Sequence, residues 1–403
     1  MLALAVAAAV LTIAYGAYIA PVGWDTSRDD QVQYLALARG LVERGEYTRA
    51  TAGEPFIPEP LRFPGYPLLL APLCVFGCSM WVIAIAQALL LAGLVLMVAR
   101  FTEPLLGLRG ARIAAAFVAL HPAFAFFAAH ALSDLLATVL AFAAVAATLS
   151  VTTRESSGIA AGALAGAATL TRPFLVFMPP LAALAIAGQR GRAFLGTLAV
   201  AALVFALTLS PYVVYVEHAF GRPVSGSTGA QLWLGFFQGL DPTTADGFVL
   251  QQAQAGSDSL ARFYAISDRV EQAYAFVRLD DELRSRALEL IAHDPAGFLA
   301  RGMTRSVTLW AGDVPLRRDD AGGAAAAVWV TANLVLLGLG IVGAVRLARR
   351  GSAAAWIPLL VIVATWVFSY PLWAEGRFSL PARPFLAIGV AALFVDVARG
   401  RRV

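Results

Sequence analysis

The sequence contains no lysine. All 30 of its basic residues are arginine, and the formal charge of +4 is spread along the chain. No basic stripe of the kind a nucleic-acid surface needs appears, so nucleic acid is excluded as a partner. Charge of either sign is scarce, at 14% of 403 residues. Only two cysteines occur, which excludes a disulfide scaffold. Cys74 and Cys78 lie four apart in an apolar run, where a bridge would strain a helix, and they are read as buried thiols. Histidine is nearly absent, with 4 in all. His121 and His130 fit no metal spacing, and neither H-E-x-x-H nor Asp-x-Asp occurs. No P-loop, dinucleotide fingerprint or nucleophile elbow is present, which argues against nucleotide hydrolysis and acyl transfer. No metal or other cofactor is expected.

What fills the chain instead is apolar: 59% of residues are hydrophobic and the mean hydropathy is +0.73. That is more apolar surface than a soluble domain of this length hides, and it predicts an all-α polytopic integral membrane protein. Runs long enough to span lie near 2–20, 66–99, 112–130, 134–151, 194–216, 325–346, 353–370 and 381–398. The 158–187 region adds two more, split at Thr171-Arg172-Pro173, for about ten spans in all. The first run lacks a basic n-region and reads as a retained helix, not a cleaved signal peptide.

Arginine clusters at 100–112, 154, 190–192, 346–350 and 399–402 alternate with these runs and mark the cytoplasmic side. The other side then receives 21–65 and 217–324, where most acidic residues lie. The expected organisation is a transmembrane core over 1–216 with a first outer loop at 21–65, an amphipathic-helix segment over 217–324, and transmembrane helices over 325–403. "SLARFYAISDRVEQAYAF" and "DDELRSRALELIAHDPAGFLARGMTRSVTLW" space apolar residues three and four apart, as helices lying on a membrane do. Asp294 and Pro295 read as a cap and a first helical position. The run Asp280-Asp281-Glu282 reads as a solvated first turn. No fixed-period or inverted repeat is visible, which weakens a carrier reading.

Several residues stand where chemistry and structure compete. Asp29 and Asp30 precede "VQYLALARGL" and are placed either to cap that helix or to serve as a base. Side by side near a membrane, they are expected to raise one another's pKa. Arg62, Arg172 and Arg377 lie at outer membrane boundaries, where an arginine is a functional candidate by default. The alternative is that each snorkels or pairs locally, as Glu375 would with Arg377. Asp134, behind Ser133 at the head of a span, is a cap or a ligand contact. Trp233, with Phe236 and Phe237, could stack a sugar or anchor the chain at the interface.

Three stretches in order, "DDQVQYLALARGLVERGEY" with "LRFPGYPLLLAPL", "LHPAFAFFAAHALSDLLATVL" with "LTRPFLVFMPPLAALA", and "AEGRFSLPARPFLAIGVAAL", resemble the GT-C superfamily of polyprenyl-phosphate-sugar-dependent glycosyltransferases. The similarity is to the branch with protein mannosyltransferases and the aminoarabinose-lipid A transferase, and it runs over nearly the whole chain. Asp30 and Tyr34 match the family's Asp-x-x-x-Tyr loop, with Gln31 where many members carry Glu. Glu375 and Arg377 match its Glu-x-Arg-Tyr pattern, with Phe378 in place of the phenol.

The resemblance implies an inverting glycosyltransferase in a bacterial inner membrane, its site facing the periplasm or exterior. The donor would be a polyprenyl-phosphate sugar and the acceptor a hydroxyl of a glycan, lipid or protein. In that reading Asp30, or Asp29, is the general base, and Arg377, Arg62 and Arg172 meet the leaving phosphate. Tyr34, Tyr66, Asp134, Glu375 and Trp233 make up the expected substrate-binding set. The alternatives are a lipid-linked-saccharide transporter, which would need the arginines but not the acidic pair, and a degenerate scaffold subunit.

Overall fold

The computed structural model describes residues 1–20, 29–75, 77–150, 155–187, 193–223, 226–238, 258–312 and 323–398. Among these residues every regular element is helical, so the all-α reading holds. Five helices are long and apolar enough to cross a membrane: Leu2–Ile19 (α1), Met80–Leu120 (α4), Leu195–Phe220 (within α9, Ala193–Phe220), Gly323–Ala348 (α14) and Gly376–Ala398. Pro122–Ala129 (α5) and Asp134–Leu149 (α6), bent by 116° at their junction, would together make a sixth. Four apolar helices are shorter, at 10–17 residues: Gly65–Cys74 (α3), Ser157–Thr171 (within α7, Glu155–Thr171), Pro173–Ala183 (running into α8, Met178–Ala187) and Ala353–Ser369 (α15). The chain is a multi-pass membrane protein; among the described residues five of its helices, or six with the bent pair, have full spanning length.

The clearest departure from the expected spans is at 66–99. Helix α3 stops at Cys74, and the chain turns through Gly77 and Cys78, both at positive φ (87° and 52°), before α4 begins at Met80. Because the helix breaks between them, Cys74 and Cys78 can meet, and they form a disulfide in place of the buried free thiols the spacing suggested. Helix α4 then runs to Leu120 across a kink at Gly107, whose φ of 73° suits glycine alone.

Helix packing relies on small residues, as membrane interiors require where burial offers no gain over lipid. A Cβ on Gly162 of α7 would lie 2.2 Å from the Ala201 carbonyl oxygen of α9. One on Gly343 of α14 would lie 1.8 Å from the Gly389 carbonyl oxygen of α16 (Arg383–Ala398). Ile19 packs with Ala84 and Met80, so the end of α1 meets the start of α4. At the opposite end Arg350 donates to the Leu105 carbonyl and pairs with Asp396 at 2.8 Å.

Outside this bundle lie α10 (Thr228–Phe237), α11 (Asp258–Tyr264), α12 (Arg269–His293) and α13 (Pro295–Ala311). Asp268 caps α12, accepting from the Val270 and Glu271 amides. Asp294 caps α13, with Pro295 in its first turn. Arg305 on α13 is 1% exposed and donates to the carbonyls of Gly235, Phe298 and Tyr370. It thereby ties α10 to the segment that follows α15. Burial of its guanidinium draws its pKa down to about 10.

Candidate active site

The site is built from the first turn of α2 (Asp29–Glu43), the loop before α3, the break after α7, and the 3₁₀ turn Gly376–Ala382. Helix α2 brings Asp30, Gln33 and Tyr34 to one face, at the three- and four-residue spacing of a helix. Gln31 points inward instead, where it is 1% exposed and accepts from the Ala131 amide at 2.8 Å. The amide at this position thus docks α2 onto the α5–α6 junction.

The loop carrying Arg62 is fixed by a group that sequence reasoning missed. Glu59 is fully buried, pairs with Arg49 at 2.6 Å, and accepts from the Leu61 and Arg62 amides at 2.8 and 2.9 Å. Tyr47 donates to the Arg62 carbonyl at 2.8 Å. The partners of its carboxylate all lie within ten residues in the same loop, but a single Glu between Pro58 and Pro60 carries no periodic or motif signal that marks it as buried. Three residues after Arg62, a Cβ on Gly65 would sit 2.5 Å from the Thr171 hydroxyl and 2.7 Å from the Thr171 amide, so only glycine lets this loop meet the end of α7.

Arg62 and Arg377, more than three hundred residues apart, hold the two oxygens of Asp30. The Arg62 Nη2 donates to Oδ1, and the Arg377 Nη1 donates to Oδ2 at 2.5 Å. Arg62 is held at its Nε by Gln33 at 2.8 Å, and Arg377 at its Nε by Glu375. A third guanidinium repeats this arrangement: Arg172 pairs through Nη2 with Asp134 at 2.6 Å, while its Nε donates to Ser133 at 3.3 Å. Ser133 also bonds the Tyr34 hydroxyl at 3.1 Å. Phe378, which stands where the family pattern has a phenol, places its ring 5.6 Å from both the Arg172 and the Arg377 guanidiniums.

Burial by itself would push the Asp30 carboxyl up, but Arg377, then Arg62, outweigh it and hold it well below the usual carboxylate range. This corrects the expectation that a neighbouring carboxylate raises it. The Asp29 side chain lies outside the described residues.

These groups border a cavity of about 190 Å³ lined by Asp30, Tyr34, Arg62, Arg172 and Arg377. One wall is aromatic, with Phe63, Phe174, Phe368 and Phe378, and another is polar, with Ser227, Thr228 and Gln231 at the start of α10. Four of the expected substrate contacts stand behind the lining. Tyr66 is fully buried beneath Tyr34, its ring 5.0 Å away and its hydroxyl donating to Gln87 at 3.3 Å. Asp134 and Glu375 support Arg172 and Arg377. Trp233 is buried between α10 and α12, among Leu232, Leu279 and Leu283. The helix spacing that gives Trp233 to this packing leaves Gln231, two residues earlier, facing the cavity.

Residues 64–215 match the model of the family described as dolichyl-phosphate-mannose-protein mannosyltransferase. No curated protein sequence matches the chain. Among solved structures, the oligosaccharyltransferase of Archaeoglobus fulgidus tethered to an acceptor peptide containing the NVT sequon superposes with a TM-score of 0.56 at 14% identity, over 99% of this chain and 50% of that one. The same organism's oligosaccharyltransferase AglB, in complex with an inhibitory peptide and a dolichol-phosphate, gives 0.55 at 15% identity, over 99% and 51%. ArnT from Cupriavidus metallidurans bound to undecaprenyl phosphate gives only 0.42 at 16% identity, over 94% and 77%. The chain spans about half the length of the oligosaccharyltransferases it matches. Its fold is shared with these oligosaccharyltransferase structures, and over residues 64–215 its sequence matches the model of the dolichyl-phosphate-mannose-protein mannosyltransferases.

Proposed function

We propose that the protein is a glycosyltransferase that moves a sugar from a polyprenyl-phosphate donor to an acceptor hydroxyl on the extracytoplasmic side of a bacterial inner membrane. One observation carries this reading: three arginines from three separate segments converge on one cavity whose floor is Asp30. A phosphate leaving from a sugar gathers negative charge, and planar guanidinium forks meet it with paired N–H groups. A lipid carrier suits the aromatic wall, since Phe368 is half exposed on the flank of α15 and also lines the cavity.

Asp30 is the base. It accepts the hydroxyl proton as the acceptor oxygen attacks the anomeric carbon from the face opposite the phosphate, which inverts the configuration. Always ionised at neutral pH, it is a weak base. That suffices where the hydroxyl becomes acidic only as the new bond forms.

In this reading the charge of the leaving phosphate is met by guanidinium groups, which hold both Asp30 oxygens. The extracytoplasmic placement is supported by the Cys74–Cys78 disulfide, which lies at the end of the bundle where Ile19 meets Met80, since disulfides persist in oxidising compartments. The cavity includes Phe368 and Ser369 at the end of α15, the end away from Arg350 and its neighbouring arginines. In reconstituted membranes Asp30→Asn should lower transfer by about 10²- to 10⁴-fold with the fold intact. Unchanged transfer would remove Asp30 from the chemistry.

A further inference from the structure

We infer that Asp30 is the internal occupant of the donor-phosphate site, so that the donor binds before the acceptor and its phosphate releases the base by taking Arg62 and Arg377. This rests on the reading of those arginines as phosphate-binding. The same Nη groups that would hold a phosphate hold the two oxygens of Asp30. A carboxylate engaged at both oxygens by guanidinium groups is poorly placed to accept a proton, so base and phosphate clamp cannot act while they are partners.

The way the arginines are mounted suits an exchange. Gln33 and Glu375 hold Arg62 and Arg377 at Nε, leaving the Nη groups to change anion while the arms stay in place. Charge points the same way. Three guanidiniums, Arg62, Arg172 and Arg377, face three carboxylates, Asp30, Asp134 and Glu375. A phosphate entering this balanced site gains little unless one carboxylate gives way. Asp134 has no exposed side-chain surface, and Glu375, although 27% exposed, holds Arg377 only at Nε; Asp30, 20% exposed in the first turn of α2, is the carboxylate that occupies Nη groups of two arginines. Asp30 is therefore the one to yield.

Once released, Asp30 turns to the acceptor hydroxyl and takes its proton as the acceptor oxygen bonds to the anomeric carbon. The bond from that carbon to the phosphate oxygen breaks, and its electron pair stays on the phosphate. Asp30, now a neutral acid, passes its proton to water, recovers Arg62 and Arg377, and displaces the polyprenyl phosphate. The contact thus acts twice, delaying proton transfer until the donor is seated and expelling the spent carrier.

The test is the affinity of undecaprenyl phosphate, without sugar, for the full chain in nanodiscs. Asp30→Asn, which keeps the shape and removes the charge, should bind this lipid about tenfold more tightly than the wild type while losing transfer, each tenfold being about 1.4 kcal/mol. Asp30→Ser should shift affinity the same way, and covers the case in which the Asn variant does not fold. Arg62→Gln should weaken binding. Wild-type binding with equal or weaker binding by both Asp30 variants would overturn the inference and leave the phosphate reading standing. Absence of binding by every form would overturn the phosphate reading, and this inference with it.

Discussion

Arg172 donates to Asp134 at 2.6 Å, and the Asp134 side chain has no exposed surface. The pair joins the break after α7 to the head of α6. It holds at the cavity wall an arginine that would otherwise be free to reach the headgroups.

Removing one member of a buried pair strands the other's charge. Arg172→Met should therefore destabilise the protein by about 3 kcal/mol, near the lower end of what such truncations cost. The double variant Arg172→Met/Asp134→Leu should recover much of that loss without recovering transfer. Thermal unfolding in detergent, run beside the transfer assay, checks this. A single variant as stable as the wild type would mean that the pair is not buried against water in the native membrane form.

Gly65 fixes the approach of the Arg62 loop to Thr171, because any Cβ there meets the Thr171 backbone. Gly65→Ala should destabilise by about 1–3 kcal/mol, as overpacking does, and should reduce transfer by moving Arg62 off the cavity. Thr171→Gly in the same chain removes the hydroxyl contact but not the contact with the Thr171 amide, and so should restore only part of the activity. Full activity in Gly65→Ala would show that the loop has room the structure denies it.

How far these features were legible from sequence depends on where their partners lie. Asp30, Tyr34, Arg62, Arg172 and Arg377 could be picked out one at a time, since charge is rare at a membrane boundary and arginine there needs a reason. All five line one cavity. The local pair Glu375–Arg377 could be read from spacing, but the other pairings could not: which arginine meets which carboxylate is decided by tertiary approach between segments 32, 38 and 347 residues apart. Glu59 escapes notice although its partners are local, because a lone Glu between prolines carries no periodic signal, and the packing of Trp233 between helices could not be read because an aromatic at an interface looks alike whether it faces a ligand or a neighbouring helix. The expected span at 66–99 erred where backbone punctuation overrode hydropathy, at Gly77 and Cys78, whereas the kink at Gly107 falls between the expected spans 66–99 and 112–130.

The depressed pKa of Asp30 has a definite sign for stability. A carboxyl held lower in the folded than in the unfolded chain stabilises fully above the unfolded value, about 3.9, and loses that contribution as pH falls through the folded value. The difference in melting temperature between wild type and Asp30→Asn should stay constant from about pH 7 to about pH 5 and narrow only below about pH 4. A difference that already shrinks near pH 6 would show that Arg377 and Arg62 do not outweigh burial.

The central claim is covalent transfer, and it is tested most directly by following a radiolabelled sugar supplied on polyprenyl phosphate to proteoliposomes with an envelope extract as acceptor. The account predicts that label leaves the polyprenyl carrier and becomes bound to another molecule with the wild type but not with Asp30→Asn. Label that crosses the bilayer still attached to its polyprenyl phosphate, equally with both forms, would contradict it and make the protein a transporter of the lipid-linked sugar.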